Sequence, residues 1–174
     1  MKRLIDVDLH RLRWTQPRLF NKNYELRCGD DIVTTLTFRS ALGSMATART
    51  TDGAWTFKRV GFWRTRATVR AAATIFDLAT FEHNTWSGGG SLILADGRSI
   101  LVTTNLWQSK IEFQMPEGDV LFRYRTEGFM REEAELETRP ALEGMAEMPW
   151  LLAFGWYLVL MMHQDSASSA AIIC

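Results

Sequence analysis

The chain has 174 residues, 47% hydrophobic and 23% charged, with 20 basic side chains against 20 acidic ones. This length and composition fit one globular domain with a substantial core and exclude a disordered polymer. A net charge of zero excludes bulk attraction to nucleic acid or anionic membrane, so such a partner would need a local patch.

Along the chain, Met1-Lys-Arg-Leu-Ile5 begins with basic residues, but Asp6 and Asp8 interrupt the apolar run that a secretion signal requires. Two cysteines, Cys28 and Cys174, are too few for a disulfide framework or a zinc site. A reducing cytoplasm is the expected location. Tyr24, Leu26 and Cys28 then alternate with Glu25 and Arg27, the period-two signature of a half-buried strand. Gly29-Asp30 turns the chain, and Ile32, Leu36 and Phe38 supply the next apolar face. Residues 44–50 lead into Asp52-Gly53, after which Trp55 and Phe57 share a face. Leu92 and Leu94 precede a second such pair, Asp96-Gly97, with Ile100 and Val102 beyond it. Asp-Gly between alternating segments is the strongest short hairpin signal.

Ile111, Phe113 and Met115 alternate with Lys110, Glu112 and Gln114, and Val120, Phe122 and Tyr124 repeat the pattern after the tight connection Pro116-Glu-Gly-Asp119. Residues 131–139 admit two readings. Ala134, Leu136 and Thr138 alternating with three glutamates favour a strand, and a Glu-rich helix is the alternative. About ten to twelve strands at short spacing predict an all-β barrel or sandwich.

The segment from Met148 to Met162 breaks this grammar, being apolar on every side. A helix without a polar face must be buried all round. Pro149 suits a first helical turn, where its missing N–H costs nothing, and His163 suits the carboxyl end of the dipole. From Pro149 to His163 the helix measures roughly 22 Å at 1.5 Å per residue, short of a hydrocarbon core of about 30 Å. It therefore fills a protein rather than spanning a membrane. A barrel wide enough to hold it needs more than the eight strands whose interior fills with side chains alone. The predicted architecture is an antiparallel closed β-barrel of about twelve strands, threaded by a hydrophobic C-terminal helix over about 149–163, as one domain across 1–174.

A meander of this kind resembles the tubby-like superfamily, which includes tubby C-terminal domains, phospholipid scramblases and LURP-one-related proteins. The likeness rests on Asp52-Gly-Ala-Trp-Thr-Phe-Lys-Arg-Val-Gly61, Gly90-Ser-Leu-Ile-Leu-Ala-Asp-Gly-Arg98 and the segment from Pro149 to Met162. With the strand spacing it covers nearly the whole chain, and it is closest to the small bacterial LURP-one-like proteins. The resemblance implies a non-enzymatic domain. Tubby domains bind phosphoinositide head groups on the barrel exterior, while scramblases act on bilayer lipids with calcium. This chain has no Pro-rich tail, no Cys-rich palmitoylation cluster and no Asp-x-Asp-x-Asp spacing near the last helix, so lipid scrambling does not carry over.

Trp63-Arg-Thr-Arg-Ala-Thr-Val-Arg70 holds the most suggestive polar pattern. On a strand, Arg64, Arg66 and Arg70 share a face with Thr68, opposite Trp63, Ala67 and Val69. Guanidiniums about 7 Å apart or more can hold a phosphorylated head group. The plainer reading is a solvated outer face paired with acids on neighbouring strands. Arg123 and Arg125 form a second basic pair, which would strengthen the anion site if the two strands lay side by side. Gly88-Gly-Gly-Ser91 lacks the following helix of a phosphate loop and reads as a flexible hairpin.

His10, His83 and His163 are isolated, and Asp77 with His83 on one strand is a weak metal or acid–base pair. Trp14, Trp55, Trp63, Trp86 and Trp107 read as core and barrel-mouth fillers before stacking platforms. No nucleophile context appears, and no catalytic residue, metal or cofactor is expected. The expected function is a binding or scaffold module for an anionic ligand, such as a phospholipid head group on the exterior, or for a protein partner, peripheral to the membrane. A carrier of small apolar molecules, using room beside Ala153 and Gly155, is the alternative. Nucleic acid binding is disfavoured by the zero net charge.

Overall fold

A computed structural model describes residues 1–19, 21–40, 43–60, 66–84, 89–105, 109–127 and 132–171, with the backbone alone for residue 127 and residues 167–171. Twelve strands alternate up and down: β1 (Leu12–Thr15), β2 (Asn23–Cys28), β3 (Asp31–Phe38), β4 (Ala46–Arg49), β5 (Ala54–Val60), β6 (Arg66–Ala71), β7 (Ala79–His83), β8 (Gly90–Leu94), β9 (Ser99–Thr104), β10 (Lys110–Gln114), β11 (Val120–Glu127) and β12 (Glu133–Thr138). Each pairs antiparallel with its neighbours, and β1 pairs with β12 through Trp14 opposite Ala134, so the sheet closes into a barrel. Closure removes the two edges that an open meander would expose. The ambiguous stretch before the helix is strand β12, with Ala134, Leu136 and Thr138 buried. Two helices follow, α1 (Pro140–Glu143) and α2 (Met148–Ala171).

The turns follow the residues that make them. Gly29, Gly97 and Gly118 adopt positive φ of 60°, 91° and 101° after β2, β8 and β10. Side chains other than glycine rarely tolerate that conformation. At the second Asp-Gly pair, the Asp96 carboxylate accepts the Arg98 N–H at 3.0 Å and the Leu94 N–H reaches the Arg98 carbonyl at 2.8 Å, which tightens the hairpin.

Inside the barrel, α2 is buried from Trp150 to Met162. Aromatic side chains lock it to the strands on several sides. Trp156 stacks on Trp14 of β1 at 5.8 Å, Phe154 meets Phe57 of β5 edge-on at 5.3 Å, and Tyr157 stacks on Phe38 of β3 at 5.8 Å. Such pairs add about 0.5–1.5 kcal/mol each beyond the area they bury. Trp14 and Trp55 are core fillers, as their strand positions predict, whereas Trp63, Trp86 and Trp107 lie outside the described residues.

Beside Gly155, where the sequence suggested room, the strands come closest. A Cβ there would sit 2.7 Å from Tyr124 Cε2 and 3.1 Å from Phe122 Cε2. The Tyr124 hydroxyl reaches past it to donate to the Leu152 carbonyl. The expected space along the helix is therefore filled by two aromatic rings.

The helix also runs past its expected end at 163, to Ala171. The apolar pattern stops where burial stops, but Gln164-Asp-Ser-Ala-Ser-Ser-Ala-Ala171 contains no glycine or proline to stop the helix. Where α2 begins, two 3-10 turns, Leu4–Asp6 and Leu9–Arg11, together with α1, cap the barrel. Leu4 and Leu142 are buried there, and the Lys2 N–H donates to the Ile32 carbonyl at 3.0 Å.

Candidate functional site

The two basic stretches take different places on the barrel. Four strands, β7 to β10, separate β6 from β11, so Arg66 and Arg70 do not lie beside Arg123 and Arg125. Arg123 sits between Glu112 of β10, at 2.7 Å, and Glu137 of β12, at 3.4 Å, while Arg125 reaches Glu137 at 2.9 Å. That second pair is thus neutralised across three strands. On β6, Arg66 and Arg70 sit on the face opposite the buried Ala67 and Val69, as the alternation predicts. Arg70 pairs with Asp77 in the connection to β7, and its guanidinium is held further toward the charged form by that bond. Asp77 consequently faces Arg70 rather than forming a pair with His83. Arg64 lies outside the described residues.

Arg66 makes no ion pair with another described residue. It stands at the end of the barrel where α2 leaves, on the rim of a cleft of about 240 Å³. The floor is apolar: Ala67, Phe81, Leu158, Met161 and Met162. Arg59, Arg66 and His83 provide its polar groups together with Tyr157 and Asp165.

The strands explain how these side chains converge. In β5, Trp55, Phe57 and Arg59 occupy alternate positions, so Arg59 continues the inward-facing row at the point where the barrel ends. Register places Arg59 opposite Ala67, and Ala67 opposite Phe81. His83 follows Phe81 by two residues and meets it edge-on at 6.5 Å. Gly90 lies opposite His83. Its missing side chain is required, because a Cβ would come 2.3 Å from the Glu82 carbonyl oxygen and 2.5 Å from the Phe81 ring. Gly89 and Gly90 are therefore packed against β7 and β9 rather than forming a flexible hairpin, and Gly88 lies outside the described residues.

Helix α2 supplies the other wall. The Tyr157 hydroxyl donates to the Ser44 carbonyl at 2.7 Å, and burial pushes its phenol well above the ordinary tyrosine range. Asp165, two turns further on, accepts from both ends of the Arg59 guanidinium, with Nη1 to Oδ1 at 2.8 Å. This fork-on-fork pairing is the geometry by which arginine reads a carboxylate. It raises the Arg59 pKa against the opposing effect of partial burial.

On the far side of the helix the same mouth carries a second polar group. The buried Tyr24 hydroxyl donates to Glu132, and Lys22 lies 3.8 Å from that carboxylate. Burial, followed by the bond to Glu132, raises the Tyr24 pKa. Burial lowers the His163 pKa, with Glu132 opposing and Lys22 reinforcing the shift.

A larger hollow of about 420 Å³ lies at the opposite end, near Leu4 and Met148, but its charged side chains are Asp8 and Glu143. Its electrostatics disfavour an anion. Among the described residues no three His, Cys, Asp or Glu side chains converge as a metal site, and no helix is long and apolar enough to cross a membrane. Comparison with known protein families, with characterised proteins and with solved structures finds no match.

Sequence reasoning had placed Arg66 among the candidates but missed Arg59, His83 and Asp165 as its companions. A signal was present for two of them. Arg59 and His83 each extend an inward-facing apolar row, Trp55-x-Phe57 and Ala79-x-Phe81, by one polar residue. A charged side chain at that parity belongs at a barrel mouth. Nothing local marks Asp165, whose partner is 106 residues away.

Proposed function

We propose that the chain is a non-enzymatic binding domain of the tubby-like kind, and that it recognises an amphiphilic anion at the mouth where α2 leaves the barrel. The observation that carries this reading is the conjunction of Arg59 and Arg66 with an apolar floor of Phe81, Leu158 and Met161. Guanidiniums supply charge-assisted bonds to an acid group, and the floor takes an attached hydrocarbon body. At about 240 Å³ the cleft is smaller than most pockets for drug-sized molecules, which favours a small ligand or one end of a lipid. The barrel interior is taken up by α2 and its aromatic contacts, so a carried molecule would sit at this mouth rather than beside Gly155. A phospholipid head group, implied by the tubby-like resemblance, and a free lipid-derived acid share the required chemistry.

The test uses anilinonaphthalene sulfonate, a fluorescent amphiphilic anion. Saturable binding is expected, lost in the Arg59→Gln/Arg66→Gln double variant and kept in Arg125→Gln, with unchanged melting temperatures in both. Undiminished binding by the double variant would remove the cleft as the site. Competition by soluble octanoate, compared with vesicles containing phosphatidylinositol phosphate, separates a free acid from a membrane-held one.

A further inference from the structure

Resting on that reading of the cleft, we infer that its ligand is a monocarboxylate with a short apolar tail, and that Asp165 is a built-in competitor that such a ligand displaces from Arg59. Asp165 already shows what the seat accepts: a carboxylate lying across both ends of the Arg59 guanidinium, at the border of the apolar floor. The local charge balance selects a single negative charge. Arg59 and Arg66 face the cleft together with Asp165, and the cross-strand neighbour of Arg66 on β7 is Glu82. Among the described residues, a multiply charged head group would meet too few cations there.

The resident pair is also displaceable. Its side chains are 28% and 52% exposed, and ion pairs this open to water are weak. Asp165 lies three residues beyond Met162, the last buried side chain among those described on α2, so the turn bearing it is held by less packing than the buried stretch before it. A carboxylate from outside would recover the same forked bonds and add the burial of a hydrocarbon tail against Phe81, Leu158 and Met161. Arg59 thereby acts as a seat that is covered when empty of ligand and uncovered by it.

Isothermal titration of the full chain with octanoate, octyl phosphate and octanol tests this. Octanoate should bind, with octanol at least tenfold weaker. Asp165→Asn should tighten octanoate binding about two- to fivefold, the size expected from losing a weak exposed competitor. Arg59→Gln should weaken it at least tenfold. Should Arg59→Gln fail to fold, Asp165→Asn alone still decides the matter. Octanoate binding that Asp165→Asn leaves unchanged or weakens would overturn the competitor while leaving the cleft reading intact. Octyl phosphate binding tenfold tighter than octanoate would overturn the carboxylate assignment. Failure of all three probes, with both the native chain and Asp165→Asn, would overturn the cleft reading itself.

Discussion

The two ends of the barrel are built on opposite principles. Where α2 begins, chain flanking the barrel seals it: Leu4 and Leu142 are buried, and backbone and ionic contacts of Lys2 and Arg3 tie the cap to the start of β3 and to the turn before β5. Where α2 leaves, polar and charged groups project onto apolar surface, and Arg59, Arg66, His83, Glu132 and His163 gather around the helix. The same inward-facing rows run through both ends. In β5 and β7 these rows start with Trp55 and Ala79 toward the cap and end with Arg59 and His83 at the mouth. A barrel whose interior is occupied by its own helix has only its ends and its outer face for recognition, and here one end is used for stability.

The largest test of this division is Gly155→Arg. It drives a charged side chain into the space held by Tyr124 and Phe122, and an unpaired buried charge together with overpacking exceeds the stability of most domains. The variant should show no cooperative unfolding by circular dichroism. A soluble, cooperatively folded Gly155→Arg protein would mean that α2 is not the core. Leu4→Ala comes next. A cavity under the cap should cost about 2–5 kcal/mol by urea denaturation while leaving ligand binding at the far mouth intact. Loss of binding together with the cap would show that the two ends are not separate.

His163 sharpens the comparison from the other side. Burial lowers its pKa in the folded state, so between its ordinary value near 6.5 and the lower folded value the unfolded chain holds more protons. Stability therefore falls as pH drops through that window and levels off below the folded value. His163→Gln should flatten the thermal-melting profile there, and an unaltered profile would place the acid sensitivity elsewhere. The smallest expected effect belongs to the outer tip of the β6–β7 connection at the capped end. Ile75 and Phe76 are 79% and 75% exposed, so Phe76→Ser should change stability by less than about 0.5 kcal/mol. A larger loss would show that the cap extends over that tip.

The strands and the helix were legible because their signals are local. Period-two faces such as Ile111, Phe113 and Met115 and the unbroken apolar run of α2 need no knowledge of distant chain. What surrounds a charge is not local. Arg123 and Arg125 looked like a basic patch until strand order brought Glu112 and Glu137 alongside. The row of Arg66 and Arg70 likewise divides, since Asp77 engages one and the other stands at the cleft. Arg59 was hidden for a related reason. Its parity was readable, but the helix end carrying Asp165 meets it only once the barrel has closed around α2.

The most direct measurement of the central claim is a two-dimensional amide NMR titration of the labelled protein with octanoate. Saturable shifts should cluster at Arg59, Ala67 and Phe81 and along α2 from Leu158 to Asp165, leaving Leu4 and Leu142 still. Shifts centred on the capped end, or along the outer face around Arg123, would contradict the assignment of function to the mouth.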